Sequence, residues 1–267
     1  MKKSAINIIT IVSVISALLF LFGFGWVLND QLIGSQGKVS VQKQVNTEDN
    51  LAKSTKQLQI AALGDSLTRG TGDPEGKGYI GYLTDELKQK TKKSILLSNS
   101  AIKGQTSSQL ISQLKGAEIQ RQLRDADIIL LTIGGNDLFQ GGEAITNLNA
   151  TYMKKAEKPY LKNLNQIYKT IRSINKDATI FHVGLYNPFI DMEKSKFTSS
   201  IVRKWNFDSA NLAANYKAVI YVPTFDLFEL HVNDYLFSDK FHPNAAGYKL
   251  IGERVASLIT FSEGEKK

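Results

Sequence analysis

Residues 58–70 read LQIAALGDSLTRG, and this stretch decides the fold. Residues 58–63 are apolar apart from Gln59, which is typical of a buried strand, and Gly64 ends the run. In an open parallel sheet, ligand clefts form beyond the carboxyl ends of the strands. We therefore predict that Ser66, two residues past this strand, faces a cleft.

Further apolar runs alternate with amphipathic segments along the rest of the chain. The pattern predicts strands at residues 58–63, 94–99, 127–133, 179–185 and 218–222. It predicts helices at residues 79–89, 106–114, 159–174, 199–216 and 244–259, and irregular insertions at 140–158 and 188–196. This alternation indicates an α/β domain with a five-stranded parallel sheet covered by helices on both faces.

A histidine near the C-terminus could activate the serine. A serine hydroxyl is a poor nucleophile until a base lies within hydrogen-bond reach. In residues 239–243 (DKFHP), His242 could be this base, and Asp239, three residues earlier, could orient its ring. The other two histidines fit less well, because His182 lies in a strand-like run and His231 has no glycine-rich turn beside it.

Two more blocks could supply donors for a developing oxyanion. They are residues 99–107 (NSAIKGQTS) and residues 134–137 (GGND). The backbone N–H groups of Ser66 and Gly104 and the side-chain amide of Asn136 would each come from the loop after a different strand. Each block alone would fit an ordinary turn, loop or helix cap, but their order and placement together favour acyl-transfer chemistry.

With these four blocks, residues 58–260 resemble the SGNH hydrolases, also called GDSL lipases or esterases. The resemblance implies a flavodoxin-like three-layer sandwich. It also implies a catalytic triad of Ser66, Asp239 and His242. The implied oxyanion hole comprises Ser66, Gly104 and Asn136. Ala101 stands where relatives often carry glycine. Within the family, the chain resembles extracellular lipase/acylhydrolase-like proteins of Gram-positive bacteria.

The family resemblance leaves the substrate open. We expect a serine esterase that cleaves lipid or short acyl esters, with Asp65, Phe139, Tyr186 and Phe189 as candidate pocket residues. An apolar tunnel at these aromatic residues would favour an acyl chain, whereas an open polar groove would favour a sugar. The alternatives are a deacetylase of a cell-envelope glycan and a non-catalytic binding module on the same fold.

Other classes of function fit the composition poorly. Three histidines without clustered carboxylates do not form a metal site, and no phosphate-binding glycine loop follows a strand, so we expect no metal or cofactor. The formal net charge is +8, but no basic cluster interleaved with aromatic residues indicates nucleic-acid binding.

The N-terminal region differs from the remainder. Lys2 and Lys3 precede an uncharged apolar stretch, so residues 1–28 are predicted to be a membrane anchor or, alternatively, a cleaved signal sequence. Residues 29–57 form a polar linker, residues 58–262 the hydrolase domain and residues 263–267 a charged tail. We expect a single-pass membrane protein with a monomeric catalytic domain outside the cell, or else a secreted enzyme. The absence of cysteine excludes disulfides.

Overall fold

The computed structural model describes residues 57–140, 150–193 and 195–267, together with the isolated positions Ser13 and Ser16. By its contacts the chain divides between Thr47 and Glu48, and every element named below belongs to the second unit. The predicted anchor lies outside these residues apart from the two isolated positions, and so does the predicted linker apart from Gln57. Within the described part of the chain, no helix is both long enough and apolar enough to cross a bilayer.

Five strands form one parallel sheet, which confirms the predicted fold class. They are β1 (Gln57–Gly64), β2 (Ser94–Asn99), β3 (Ile128–Thr132), β4 (Thr179–Val183) and β5 (Val219–Val222). Their spatial order is β2-β1-β3-β4-β5, and all neighbours are parallel. The connection that follows β1 leads to β2 on one side of the sheet, whereas the connection that follows β3 leads to β4 on the other side. The crevice of this doubly wound sheet therefore opens between the carboxyl ends of β1 and β3.

Helices occupy most of the connections. Their bounds are α1 (Ser66–Arg69), α2 (Gly78–Lys90), α3 (Ser107–Gln113), α4 (Ala117–Asp125), α5 (Gly135–Phe139), α6 (Ala150–Ile174), α7 (Ser195–Ala213), α8 (Phe225–Phe228), α9 (Val232–Tyr235) and α10 (Ala245–Ser257). A 3-10 turn, Glu263–Glu265, follows α10.

The sheet carries a separate apolar core on each face. Ala61 and Leu63 of β1 pack into the core that α3, α6 and α7 cover, whereas Ile60 and Ala62 pack into the core beneath α2 and α10. Alternate residues of a strand point to opposite faces, so the apolar residues 60–63 of β1 serve both cores. The result is the three-layer sandwich expected from the family resemblance.

One helix boundary differs clearly from its prediction. Helix α6 begins at Ala150 and contains Pro159, whereas the sequence pattern predicted a helix starting at that proline and an irregular segment at residues 140–158. Proline is common in the first turn of a helix and disfavoured inside one, which is why it indicated a start. Residues 141–149 of that segment lie outside the described part.

The C-terminal residues are attached to the domain. Lys266 forms an antiparallel bridge with Thr91, whose hydroxyl donates to the carbonyl of Glu265 at 2.9 Å. Glu265 also forms an ion pair with Lys93. The segment predicted as a charged tail therefore packs beside the end of α2, and at the other end β1 begins at Gln57, the last residue of the predicted linker.

Candidate active site

The turn after β1 places Ser66 at the start of α1. Gly64 has φ +126°, and a Cβ there would lie 1.9 Å from the carbonyl oxygen of Thr132. Only glycine therefore fits at this point, where the end of β1 lies beside the end of β3. Asp65 caps α1 by accepting a 3.1 Å hydrogen bond from the N–H of Leu67. The first N–H groups of a helix have no acceptor within the helix, which leaves the N–H of Ser66 available to a ligand.

A buried hydroxyl network fixes this turn. Thr132 at the end of β3 donates to Oδ1 of Asp65 at 2.8 Å, and its oxygen lies 2.8 Å from the hydroxyl of Thr68. Burial raises the pKa of Asp65, while the hydrogen bonds from Thr132 and Leu67 oppose the increase. The network holds the residues on both sides of Ser66 and so fixes the position of its backbone.

Ser66, His242 and Asp239 form a continuous hydrogen-bonded chain. Nε2 of His242 lies 2.8 Å from Oγ of Ser66, and Nδ1 lies 2.7 Å from Oδ2 of Asp239. The other carboxylate oxygen of Asp239 accepts from the N–H groups of His242 at 2.9 Å and Phe241 at 3.0 Å. Lys240 adopts φ +56° between them, so the turn closes tightly around the carboxylate.

The environment keeps Asp239 ionised. Its partial burial acts to raise the pKa of the carboxyl group, but the hydrogen bonds from the ring and N–H of His242 and from the N–H of Phe241 outweigh this, and the net pKa is lowered. An ionised carboxylate accepts the Nδ1 proton of His242. That hydrogen bond leaves Nε2 unprotonated and facing Ser66.

The loops after β2 and β3 meet beside this chain. Asn136, on α5, lines the cleft, and its side-chain amide donates to the carbonyl of Gln105 at 3.1 Å. Gly104, the preceding residue, has φ +77° and open space where a Cβ would stand. Gly104 is exposed and does not line the cleft itself. The structure thus places the loops of the three predicted donors next to one another.

Two further residues support these loops, and the sequence reasoning assigned no role to either. Asp137 accepts hydrogen bonds from the N–H of Ser107 at 2.9 Å and from its hydroxyl at 2.5 Å, which ties α5 to the start of α3. Burial raises the pKa of Asp137 against these hydrogen bonds. Asn99 donates to the carbonyl of Thr68 at 2.9 Å. The sequence could have indicated both residues, because Asn99 begins the block at residues 99–107 and Asp137 ends the block at residues 134–137.

A cleft of about 370 Å³, open solvent included, lies beside Ser66. The described residues that line it are Asp65, Ser66, Leu67, Gly135, Asn136, Phe139, Leu185, Tyr186, Pro188, Phe241 and His242. Three of the four predicted pocket residues are among them, and Phe189 is not. Phe241 was missed although it adjoins His242, because the sequence alone does not show which side its ring takes.

Aromatic rings dominate one side of the cleft. Tyr186 stacks on Phe228 with ring centroids 4.2 Å apart, and its hydroxyl donates to the carbonyl of Phe241 at 2.5 Å. Phe189 is 3% exposed and packs edge-on against Phe139, behind the surface of the cleft. Phe189 therefore supports the lining without touching the space inside.

The remaining histidines lie away from this chain of hydrogen bonds. His182 is buried in β4, where its Nδ1 lies 2.5 Å from the hydroxyl of Tyr168, and burial lowers its pKa to about 4. His231 is exposed, with Nδ1 3.8 Å from Asp234. Among residues 57–140, 150–193 and 195–267, no three His, Asp or Glu side chains cluster as metal ligands would.

Comparison with known proteins identifies the family of this fold and site. The model of the GDSL-like lipase/acylhydrolase family matches residues 62–250. Protein YpmR of Bacillus subtilis strain 168 is 37% identical over 212 residues, covering 78% of this chain and 83% of YpmR.

Two further relatives are named as lipases. The spore germination lipase LipC of Bacillus licheniformis is 27% identical over 208 residues, covering 74% of this chain and 94% of LipC. The crystal structure of lipase Lip_vut3 from a goat rumen metagenome superimposes with a TM-score of 0.68 and 25% identity, covering 75% of this chain and 96% of that one. The chain belongs to the GDSL-like lipase/acylhydrolase family and is an ester hydrolase.

Proposed function

We propose that the protein is a serine esterase that cleaves carboxylic esters through an acyl-enzyme on Ser66. The observation that carries this proposal is the chain from Ser66 through His242 to Asp239, with hydrogen bonds of 2.8 Å and 2.7 Å. These distances lie within the range that general-base activation requires. The names of LipC and Lip_vut3 as lipases support ester chemistry.

In the first half of the reaction, Oγ of Ser66 attacks the ester carbonyl while Nε2 of His242 takes its proton. A C–O bond forms, and the carbonyl electrons move onto oxygen. The N–H group of Ser66 and the amide of Asn136, both at the cleft, stabilise that negative charge, and the N–H group of Gly104 in the adjoining loop is the third proposed donor. When the tetrahedral intermediate collapses, the ester C–O bond breaks and His242 returns the proton to the departing alcohol.

In the second half, water replaces the alcohol. His242 removes a proton from the water as its oxygen attacks the acyl-enzyme, and the same donors hold the second oxyanion. Collapse releases the carboxylic acid and returns the proton to Ser66. Asp239 keeps Nδ1 protonated throughout and stabilises the charged ring, so that His242 can act as base and acid in turn.

The chemistry of the cleft favours an acyl ester over the two alternatives. Six of its lining residues, including Phe139, Leu185 and Phe241, present apolar or aromatic surface beside the serine. Such a surface suits a hydrocarbon chain better than a sugar. A purely binding role gives no reason for three polar residues aligned at catalytic distances, one of them a histidine.

Hydrolysis of p-nitrophenyl esters by the full-length chain tests this proposal. We expect Ser66→Ala and His242→Ala each to reduce kcat by at least about a thousandfold, with circular dichroism spectra and melting temperatures near those of the wild type. Ser238→Ala is the matched control, because Ser238 is an exposed serine in the same turn as His242. Turnover that persists in folded Ser66→Ala would contradict the assignment.

We also propose that residues 1–28 anchor the enzyme in the cell membrane, with the catalytic domain outside. Lys2 and Lys3 before an uncharged apolar stretch support this orientation. Protease added to intact cells should remove the catalytic domain. A domain protected until the cells are lysed would contradict the orientation, and a domain released into the medium would favour the cleaved signal.

A further inference from the structure

Two phenylalanine rings that line the cleft beside Ser66 pack on each other and on a third phenylalanine ring that does not line it. The ring centroids of Phe139 and Phe189 are 5.2 Å apart, those of Phe139 and Phe241 6.1 Å, and those of Phe189 and Phe241 5.9 Å. We call these three residues the phenylalanine cluster. Phe139 and Phe241 line the cleft, whereas Phe189 is 3% exposed and packs against both of their rings.

The rings come from three separate segments, which makes the cluster a built feature of the site. Phe139 ends α5, Phe189 lies in the loop between β4 and α7, and Phe241 precedes His242. Two of the ring pairs are edge-to-face or nearly so, at 78° and 90°, a geometry that aromatic pairs prefer. The contacts among the three rings therefore stabilise the cluster and oppose displacement of any one ring.

Behind the cluster lies the main apolar core. Phe139 and Phe189 belong to the same buried cluster as Tyr160 and Val202, both of which are at most 2% exposed. Protein interiors are close-packed, and forcing extra methylenes into them costs about 1–3 kcal/mol. An apolar group that enters the cleft beyond the cluster would have to displace this packing.

The space in front of the cluster is small. Even with open solvent included, the cleft measures only about 370 Å³. Its walls beside the serine, Leu185, Tyr186 and Pro188, are mainly apolar. The group that this space would desolvate is the acyl group, because it stays on the serine after the alcohol has left.

We propose that the phenylalanine cluster closes the acyl pocket and restricts the enzyme to esters of short, unbranched acyl groups, from acetyl to butyryl. The inference rests on the proposed function, since it specifies which esters the same site accepts. Phe189 is the specificity-determining residue that never touches the substrate, because it fixes the rings that do.

The test is the chain-length profile of the full-length protein on p-nitrophenyl acetate, butyrate and octanoate. For the wild type we expect kcat/KM on octanoate to be at least about tenfold below that on butyrate. Phe189→Ala removes the support behind the cleft, so Phe139 and Phe241 can move aside for a longer chain. We expect it to raise the octanoate-to-butyrate ratio by about tenfold or more.

Two further variants serve as controls for the effect of Phe189→Ala on chain-length preference. Phe189→Leu changes the volume less and should shift the ratio in the same direction by a smaller factor, should Phe189→Ala fail to fold. Phe207→Ala, at a ring that is 65% exposed, should leave the ratio unchanged. An octanoate preference in the wild type, or an unchanged ratio in folded Phe189 variants, would overturn this inference.

The outcomes also separate the two proposals. Turnover that depends on Ser66 but favours octanoate would overturn the short acyl pocket and leave the serine esterase intact. The absence of Ser66-dependent turnover on all three esters would overturn the proposed function and this inference with it.

Discussion

At the scale of single residues, the proposed mechanism depends on which protons Ser66, His242 and Asp239 hold. The carboxylate of Asp239 accepts three hydrogen bonds, one from the ring of His242 and two from backbone N–H groups. The lowered pKa that results keeps this group charged at neutral and mildly acidic pH. Loss of activity on mild acidification should therefore not come from protonation of Asp239.

Replacement of Asp239 by asparagine tests this division of roles. The amide keeps the size of the side chain but removes the charge and favours the wrong tautomer of His242. We expect kcat to fall on the order of 10³–10⁴-fold, with little change in KM. Steady-state kinetics on p-nitrophenyl butyrate measure both constants.

The chain offers a matched control for this change. His231 and Asp234 have the same three-residue spacing, but their atoms are 3.8 Å apart on the surface. Asp234→Asn should leave kcat unchanged. If the two variants behaved alike, the effect would not come from the triad, and the role of Asp239 would have to be abandoned.

At the scale of elements, β4 carries a polar group inside the core. His182 accepts a hydrogen bond from the hydroxyl of Tyr168 and packs edge-on against Tyr221. Its ring also contacts the carbonyl of Ile133, just before the glycines that start α5. The buried histidine thus braces the strand end next to the loop that carries Asn136, although it takes no part in the proposed chemistry.

Burial of His182 makes the stability of the fold depend on pH. Its pKa is lowered from 6.5 to about 4, because desolvation penalises the charged ring. Between these two pH values the histidine binds a proton in the unfolded chain but not in the folded chain. The contribution of His182 to the free energy of unfolding is therefore fully present above about pH 6.5 and decreases as the pH falls toward 4. The loss attributable to this group should reach roughly 2–3 kcal/mol at pH 4.5.

Urea unfolding of the wild type and of His182→Gln between pH 7.5 and 4.5 measures this contribution. Glutamine stays neutral, so the variant should lose less stability over the same interval, whatever its stability at pH 7.5. Both proteins contain the same carboxyl groups, so the effect of those groups cancels when the two curves of unfolding free energy against pH are subtracted. The remaining difference is the contribution of His182. Parallel curves would contradict the assignment of the pH dependence to His182.

At the scale of the whole molecule, the sheet topology assembles the site. Ser66 follows β1 and Asn136 follows β3, the two strands between which the connections change direction. The loop with Gly104 follows β2, on the other side of β1. Residues far apart in sequence meet because parallel strands bring all their carboxyl ends to one edge of the sheet.

Much of this arrangement could be predicted from the sequence, because apolar strands end in glycine-rich polar turns that are easy to locate. The five strands lie within a few residues of their predicted positions. Helix α4 was missed because its sequence, AEIQRQLRD, is mostly polar and short. The start of α6 was misplaced because Pro159 resembles a first-turn proline but lies inside the helix.

The shape of the pocket could not be predicted in the same way. Phe139 and Phe189 were recognised as aromatic residues near the site, but the sequence could not show that one faces the cleft and the other stands behind it. That distinction depends on ring packing among three segments distant in sequence. Side-chain direction in loops has no periodic pattern from which to infer it.

The most direct test of the central claim is to trap the acyl-enzyme. The full-length protein would be mixed with p-nitrophenyl butyrate, quenched in acid during turnover, digested and mapped by mass spectrometry. We predict one butyryl group on the peptide that contains Ser66, and none on that peptide in Ser66→Ala. Turnover without a butyrylated Ser66 peptide, or with the butyryl group on another residue, would contradict the proposed mechanism.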